Sequence, residues 1–367
     1  MGIIRKTLCF ILLVLLSNKQ TFSAPSDSLF RVGLIMPFKT NSIRNGLSEA
    51  SLDYYEGVKI ALQELEQNGI KLRLYVFDSQ KDSFALNEIL DHPDLPSLHL
   101  MLGPAAVVEL NELAAFCARH EIPLVSPLKH YTPPEGINPI LFNPFSNDSI
   151  RIKATIEKAI WVFRNAKLVI LNDNSAECAR NIGYIKGVSG TAFGKRNLSV
   201  IPYNNGNFSQ YLPKNDSLVI LMPTSRIGML AAVVKFLEEH PKAVAVGHHQ
   251  WYDNLEATMA SGKMNRVYIP EVNFVDPADT ITRNFRLRYR EEYRSEPTRF
   301  VYVGYDQMMF FGQAMMAFGR DFPERTANGA FPLLQNEFYF KKKNSTYDNY
   351  GINLVTMGEQ FPYKAQP

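Results

Sequence analysis

The chain has 367 residues, 46% of them hydrophobic and 20% charged, which excludes a disordered or collagen-like polymer and favours two domains over one. Arg5, Lys6 and Lys19 are the only charged residues in positions 1–23, which leaves 36 of the 39 basic residues against 36 acidic ones in the remainder. A neutral body of this kind lacks the electrostatic footprint of a nucleic-acid binder.

At the start of the chain, Arg5 and Lys6 precede the nine-residue apolar run Leu8 to Leu16, followed by Thr21-Phe22-Ser23. Positive charge, a short apolar core and small residues at the −3 and −1 positions are the pattern of a secretory signal peptide over residues 1–23. Cleavage is expected after Ser23, with Ala24 as the second choice. Nine residues cover only about half of a bilayer core, so a membrane anchor is not expected. Cys9 lies too early to be a lipoprotein cysteine, and a soluble periplasmic protein is predicted. Cys117 and Cys178 remain, too few for a disulfide scaffold. Cys117 shares a helical face with Leu110 and Leu113 and reads as a buried thiol.

From Leu29 the chain alternates strand and helix patterns. Phe30 to Pro37 reads as a strand; Leu52, Tyr55, Val58, Leu62 and Leu65 mark one helical face that stops at Gly69. Lys71–Asp78, Leu98–Gly103 and Pro123–Pro127 follow as strands, with helices at Phe84–Leu90 and Val108–His120. The pattern pauses over Tyr131–Asn143, rich in proline and asparagine, and restarts. Helices are expected around Ile152–Phe163, from Ala176 and around Ile227–Leu237. Strands are expected at Lys167–Leu171, Leu198–Pro202, Ser217–Met222, Ala243–Gly247 and Arg266–Ile269. Two further helices, Thr280–Tyr293 and a methionine-rich Tyr305–Phe318, precede a strand-like tail from Phe331 to Val355 with Tyr347-Asp348-Asn349 as its turn. Strands this apolar between helices of this length give an α/β protein with two Rossmann-like lobes, each a parallel sheet covered on both faces.

Screens for catalytic chemistry return little. His248 and His249 are adjacent and on a strand would face opposite ways. Asp91, His92 and Asp94 fall in a proline-containing turn just past a helix. Gly190–Lys195 is one residue short of a phosphate loop and is followed by Arg196. Gly187-Val188-Ser189-Gly190 lacks the second spacer of a nucleophile elbow. An enzyme is not expected, and no cofactor or metal is called for.

In open α/β sheets a ligand lies beyond the carboxyl ends of the strands. The residues placed there are Phe38, Lys39, Pro104, Ala105, Ala106, Ser126, Leu128 and Lys129 in the first half. In the second half they are Asn172, Asn174, Thr224, His248 and Trp251. Several of these loops lead into helices whose free amides suit an anion, and Trp251 offers aromatic cover for a small molecule.

The helix Leu52-Asp53-Tyr54-Tyr55-Glu56-Gly57-Val58-Lys59-Ile60-Ala61, the run Leu74–Asp82, Gly103-Pro104, Ile122-Pro123-Leu124-Val125-Ser126-Pro127 and Gly304-Tyr305-Asp306 occur in that order behind the export signal. In this the chain resembles the type I periplasmic substrate-binding proteins, in the branch of the leucine/isoleucine/valine-binding receptors and their Bacteroidetes-type variants. The resemblance implies two lobes joined by three crossings near Pro144, Glu271 and Asn336. The first lobe would hold residues 29–144 and 272–334, and the second 145–271 and 335–367. A small polar ligand, an amino acid or a related anion, would be held in the cleft for uptake by an ABC transporter permease. Amino-acid binders of this kind carry hydroxyl residues where this chain has Ala105 and Ala106, and small or hydroxyl residues where it has Leu128, Lys129 and His130. Asp173 or Asp253 could meet a ligand ammonium, whereas Lys39 and Lys129 favour an anion. The alternative is a ligand-free interaction protein of the cell envelope with the same fold. A monomer is expected.

Overall fold

The computed structural model describes residues 29–40, 45–189, 198–212, 217–253, 264–326, 333–335, 338–357 and 362–364. The expected signal peptide, the Gly190–Lys195 loop and the start of the tail at Phe331 lie outside the described residues.

The first half runs β1 (Phe30–Met36), α1 (Gly46–Gln67), β2 (Leu72–Asp78), α2 (Ser83–Leu90), β3 (Leu100–Leu102), α3 (Val107–His120), β4 (Leu124–Val125) and β5 (Leu141–Asn143). The second half runs α4 (Asp148–Val162), β6 (Lys167–Asn172), α5 (Ala176–Ser189), β7 (Leu198–Pro202), β8 (Leu218–Leu221), α6 (Leu230–Glu239), β9 (Ala243–Val246), α7 (Gln250–Asp253) and β10 (Val267–Glu271). The chain then adds α8 (Thr280–Tyr293), α9 (Arg299–Phe318), α10 (Phe322–Arg325) and strands β11 (Phe340–Lys343), β12 (Thr346–Asn349), β13 (Asn353–Met357) and β14 (Pro362–Lys364).

Among the described residues two seven-stranded sheets form, ordered β11-β12-β5-β4-β3-β1-β2 and β14-β13-β10-β9-β8-β6-β7. The β1–β5 and β6–β10 cores are parallel, as their apolar runs require. Each sheet also carries antiparallel strands at one edge, where β11 pairs with β12, and β10 with β13 and β13 with β14. The architecture is two α/β lobes.

Four differences from the sequence reading have physical causes. The pause at Tyr131–Asn143 ends in a strand, β5, too short to show a period of two. Helix α9 begins six residues before Tyr305, because Thr298 caps it by accepting the Phe300 amide on its hydroxyl. Tyr347-Asp348-Asn349 is strand, and the turn is Asn344-Ser345, where Asn344 takes φ +55°. Asp348 and Asn349 are polar for tertiary reasons: Asp348 accepts from Asn143 at 3.0 Å and pairs with His130 at 3.1 Å.

The fourth difference moves a lobe limit. Residues 340–349 belong to the first sheet, not the second, because Phe340 and Tyr347 complete its aromatic core. Tyr347 stacks on Phe142 at 4.5 Å, and Phe340 and Phe311 meet the same ring edge-on at 5.2 and 5.1 Å. The third passage between the sheets is therefore Tyr350–Ile352, whereas the others lie between Asn143 and Asp148 and after Glu271. Buried Asn349 ties two of these passages together. Its amide donates to the Pro144 carbonyl at 3.0 Å, and its side-chain oxygen accepts from Gly351 and Tyr339 amides at 2.8 and 3.0 Å. Ala154, Val272 and Ile352 form a small apolar contact joining the passages to α4.

The first lobe is built on one close crossing. A Cβ placed on Gly57 would lie 1.9 Å from the Val301 carbonyl oxygen, and one on Gly304 would lie 2.0 Å from that of Tyr54. Only glycine at both positions lets α1 and α9 meet backbone to backbone.

Candidate functional site

Three loops converge at the carboxyl edge of the first sheet, two held by hydrogen bonds and one by a glycine. Asp78, at the end of β2, gathers the first. It accepts from the amides of Lys39 (3.1 Å), Thr40 (2.9 Å) and Gln80 (3.0 Å) and from the Thr40 hydroxyl (2.8 Å). Burial alone would raise this carboxyl's pKa; the donors outweigh it, and the pKa falls below the ordinary value. The second loop, Gly103–Ala106, needs Gly103 at φ +98°, where a Cβ would meet the Ile35 carbonyl oxygen at 2.0 Å. The third, Ser126–Lys129, is fixed twice. Ser126 donates to the Lys129 carbonyl at 2.7 Å, while Tyr54 donates to Gln307, whose amide donates to the Pro127 carbonyl, both at 2.8 Å. The α1–α9 crossing thereby sets where Leu128 and Lys129 stand.

Between these loops lies a cavity of about 750 Å³, bordered by the start of α1 (Gly46, Leu47, Ala50), Lys81 and Ser83, Ala105 to Glu109, Leu128 and Lys129, and Arg299 and Phe300 from α9. Ala105, Ala106, Leu128 and Lys129 were expected here and are brought together. Phe38 is buried against Tyr55, and Lys39 serves the Asp78 turn at φ +55°. Pro104 and Ser126 belong to these loops without bordering the cavity.

Lys81, Glu109, Arg299 and Phe300 were missed from the sequence. Arg299 and Phe300 fell outside the helix as first delimited. Glu109 carried a signal: it lies four and eight residues before Leu113 and Cys117, so an acid occupies the buried face of α3. The residue is buried, at 2% exposure, and neither carboxylate oxygen has a hydrogen-bond partner. Burial raises its pKa. The neighbouring Ser79 hydroxyl and Lys81 oppose that rise, and Glu112 and Asp78 add to it. Ser79 lies close enough to favour the charged form, yet its hydroxyl is also without a partner of proper hydrogen-bond geometry. Lys129 is shifted down, first by burial and then by Lys81, against the pull of Glu109. Helix α3 has no side-chain cap, because Ala106 occupies the capping position, whereas α1 is closed by a capping box of Asn45 and Ser48.

A raised carboxyl pKa has a consequence for stability. The folded chain holds the Glu109 proton more tightly than the unfolded chain does. This contribution is full below the unfolded pKa and is lost as pH rises through the folded one. The unfolding free energy of Glu109→Gln from urea titration is expected to exceed that of wild type at neutral pH by on the order of 1 kcal/mol, with the gap closing in acid. A constant gap at all pH values would contradict this.

The residues expected in the second half lie at the carboxyl edge of the second sheet and bond mainly to one another. Asn172 and Asn174 form a local turn, with the Asn174 amide donating to the Asn172 side chain at 2.9 Å. Thr224 reaches Asp173 and Glu177, each at 3.2 Å, and Glu177 also accepts the Ser225 hydroxyl at 2.8 Å. Asp173 accepts from the Ser175 amide and hydroxyl at 2.9 and 2.6 Å. Its carboxylate, one of two considered for a ligand ammonium, is thus already engaged. The side chain of Asp253, the other, lies outside the described residues. His248 stands 3.7 Å from Glu177, with its pKa lowered by burial against the pull of that acid. The acid, rather than the imidazole, holds the Ser225 hydroxyl. This arrangement does not activate a nucleophile. His248 and His249 follow β9 instead of lying in it, and their rings sit side by side at 4.2 Å instead of facing opposite ways.

Trp251 is buried at 1% exposure, over Gly247, and its indole donates to the Ser225 carbonyl at 3.0 Å. Its ring lies in the second lobe's core, not over the cavity. Among the described residues, all those bordering the cavity belong to the first lobe, and no cluster of three or more acidic, histidine or cysteine side chains is arranged to hold a metal.

No protein-family model and no curated protein matches the chain. Solved structures do. One, from Rhodospirillum rubrum and proposed to be a branched-chain amino acid ABC transporter, shares 13% identity at a TM-score of 0.61, covering 92% of this chain and all of that one. The LpoA C-domain of Haemophilus influenzae, a regulator of PBP1A, shares 12% identity at 0.57 over 92% of this chain and all of that one. An ABC transporter substrate-binding protein from Desulfitobacterium hafniense shares 14% at 0.50 over the same extents.

The fold is that of the type I periplasmic binding proteins. The cavity lies at the carboxyl edge of the first sheet, where strand ends, helix starts and loops converge. No helix among the described residues is long and apolar enough to cross a membrane.

Proposed function

We propose that the chain is an exported solute-binding protein that captures a small polar molecule at the first-lobe cavity and delivers it to an ABC-type permease. The observation that carries this reading is the cavity itself. It sits at the carboxyl edge of the sheet and joins two lysines, an uncapped helix start and a buried carboxylate without a partner. Leaving such a carboxylate unmatched costs stability, and a ligand that matches it recovers the loss. Ligand held on the first lobe would favour closure of the second over it, since only the closed form adds contacts. The ABC substrate-binding proteins among the similar structures support the reading.

The LpoA C-domain, equally similar in fold, supports a second reading, an interaction protein of the cell envelope. A thermal-shift screen against amino acids, carboxylic acids, peptides and cell-wall fragments separates the two. A ligand at 100 times its Kd adds about 2.7 kcal/mol, an upward shift of a few degrees for a chain of this size. Lys129→Met should reduce that shift by lowering affinity about tenfold, equivalent to about 1.4 kcal/mol. A flat response from wild type across the library would favour the interaction protein.

A further inference from the structure

We propose that the first-lobe cavity takes an organic carboxylate without an ammonium group, and that Glu109 enters the complex protonated, so that binding takes up one proton from solvent. The proposal rests on the solute-binding reading and specifies the ligand's charge.

The cavity border carries Lys81, Lys129 and Arg299 against the single acid Glu109. Its backbone contribution has the same sign, since the uncapped start of α3 presents amide hydrogens and the positive end of a 14-residue helix. A carboxylate is matched by all of these. An ammonium placed beside it would gain Glu109 but stand among the cations that hold the acid group. Leu47, Leu128 and Phe300 supply apolar wall, so the anion is expected to carry a hydrocarbon body.

Glu109 decides the proton. Its carboxylate is buried, and neither oxygen has a partner. The charged and polar groups around it are Asp78, Ser79 and Lys81 after β2, Glu112 on its own helix and Lys129 after β4. Asp78 is occupied by the Lys39, Thr40 and Gln80 amides, and one Glu112 oxygen accepts the Ser83 hydroxyl at 3.1 Å. An arriving anion therefore adds a further negative charge beside Asp78, Glu109 and Glu112. Of the three, Glu109 is the most deeply buried. Protonated, it ceases to repel the anion and donates an O–H to one of its oxygens. Ionised, it could only repel.

The test uses matched pairs that differ only in the ammonium group: 4-methylpentanoate and leucine, 3-phenylpropanoate and phenylalanine, succinate and aspartate. Calorimetry on the full mature chain, repeated in buffers of different ionisation enthalpy, reads both affinity and proton uptake. At least one acid is expected to bind more tightly than its amino partner, with about one proton taken up and affinity falling by up to about tenfold per pH unit once pH exceeds the pKa of Glu109 in the free protein. Glu109→Gln, neutral at every pH, should bind with neither the pH slope nor the proton uptake of wild type. Three outcomes would overturn the proposal: an amino partner that binds as well as its acid, affinity independent of pH, or a slope that survives in Glu109→Gln. A response to none of the six compounds would also overturn it. In that case a thermal shift with some other solute would leave the solute-binding reading standing, and a flat wider screen would remove both.

Discussion

Trp251→Ala is expected to destabilise the second lobe by about 3–5 kcal/mol, the range for removing a large buried aromatic ring, while ligand affinity of the folded protein changes less than threefold. The ring packs among Leu230, Val234, Met264 and Ile269 in one core cluster, and a Cβ on Gly247 would stand only 2.4 Å from it. Truncation leaves a cavity and also strips the Ser225 carbonyl of its indole donor. That carbonyl belongs to the loop that organises Glu177 and Thr224, so the damage extends along the carboxyl edge of the sheet. Urea unfolding followed by circular dichroism measures the first effect and calorimetry on folded protein the second. Tenfold weaker binding with unchanged stability would place the ring over a ligand, as its residue type had suggested.

Gly304→Val should be comparably damaging. The added carbons meet the Tyr54 carbonyl oxygen, a backbone atom inside α1 that cannot rotate away. The helices must separate, at a cost of about 3 kcal/mol or more, the upper end of overpacking effects. The same shift displaces the Tyr54–Gln307–Pro127 chain of hydrogen bonds, so Lys129 and Phe300 would leave the cavity border together and binding should fall with stability. Gly312→Ala is the control on the same helix. Its Cβ would meet the Leu65 Cδ1 at 2.5 Å, the movable end of a side chain, and a loss below about 1.5 kcal/mol is expected. Equal losses in the two variants would show that general crowding along α9, and not the close backbone crossing, sets the cost.

The contrast between these residues shows what local pattern can carry. The strands β1, β6, β8 and β9 are apolar runs of four to seven residues with both faces buried, and helix α8 has the limits expected of it, Thr280 to Tyr293. Alternation of such elements is enough to require parallel sheets with helices between them. Part of the site was legible in the same way, since Ala105, Ala106, Leu128 and Lys129 follow directly from where β3 and β4 end. Trp251 shows the limit: residue type and loop position suit a ligand-covering ring and a core ring equally, and only its neighbours distinguish them.

By itself, the sequence determined two α/β lobes, their parallel cores and the strand ends at which a ligand would be met, because short-range periodicity and strand polarity fix these. The tertiary structure decided which sheet takes β11 and β12, where the third passage lies, and that Lys81, Glu109, Lys129 and Arg299 border one cavity. Each of these depends on contacts between residues tens to hundreds of positions apart, such as Phe142 with Tyr347 and Gly57 with Val301. Burial of Glu109 belongs to the same class. Its spacing to Leu113 and Cys117 puts the acid on the buried face of α3, but a carboxylate's solvation and lack of a partner are set by what packs around it.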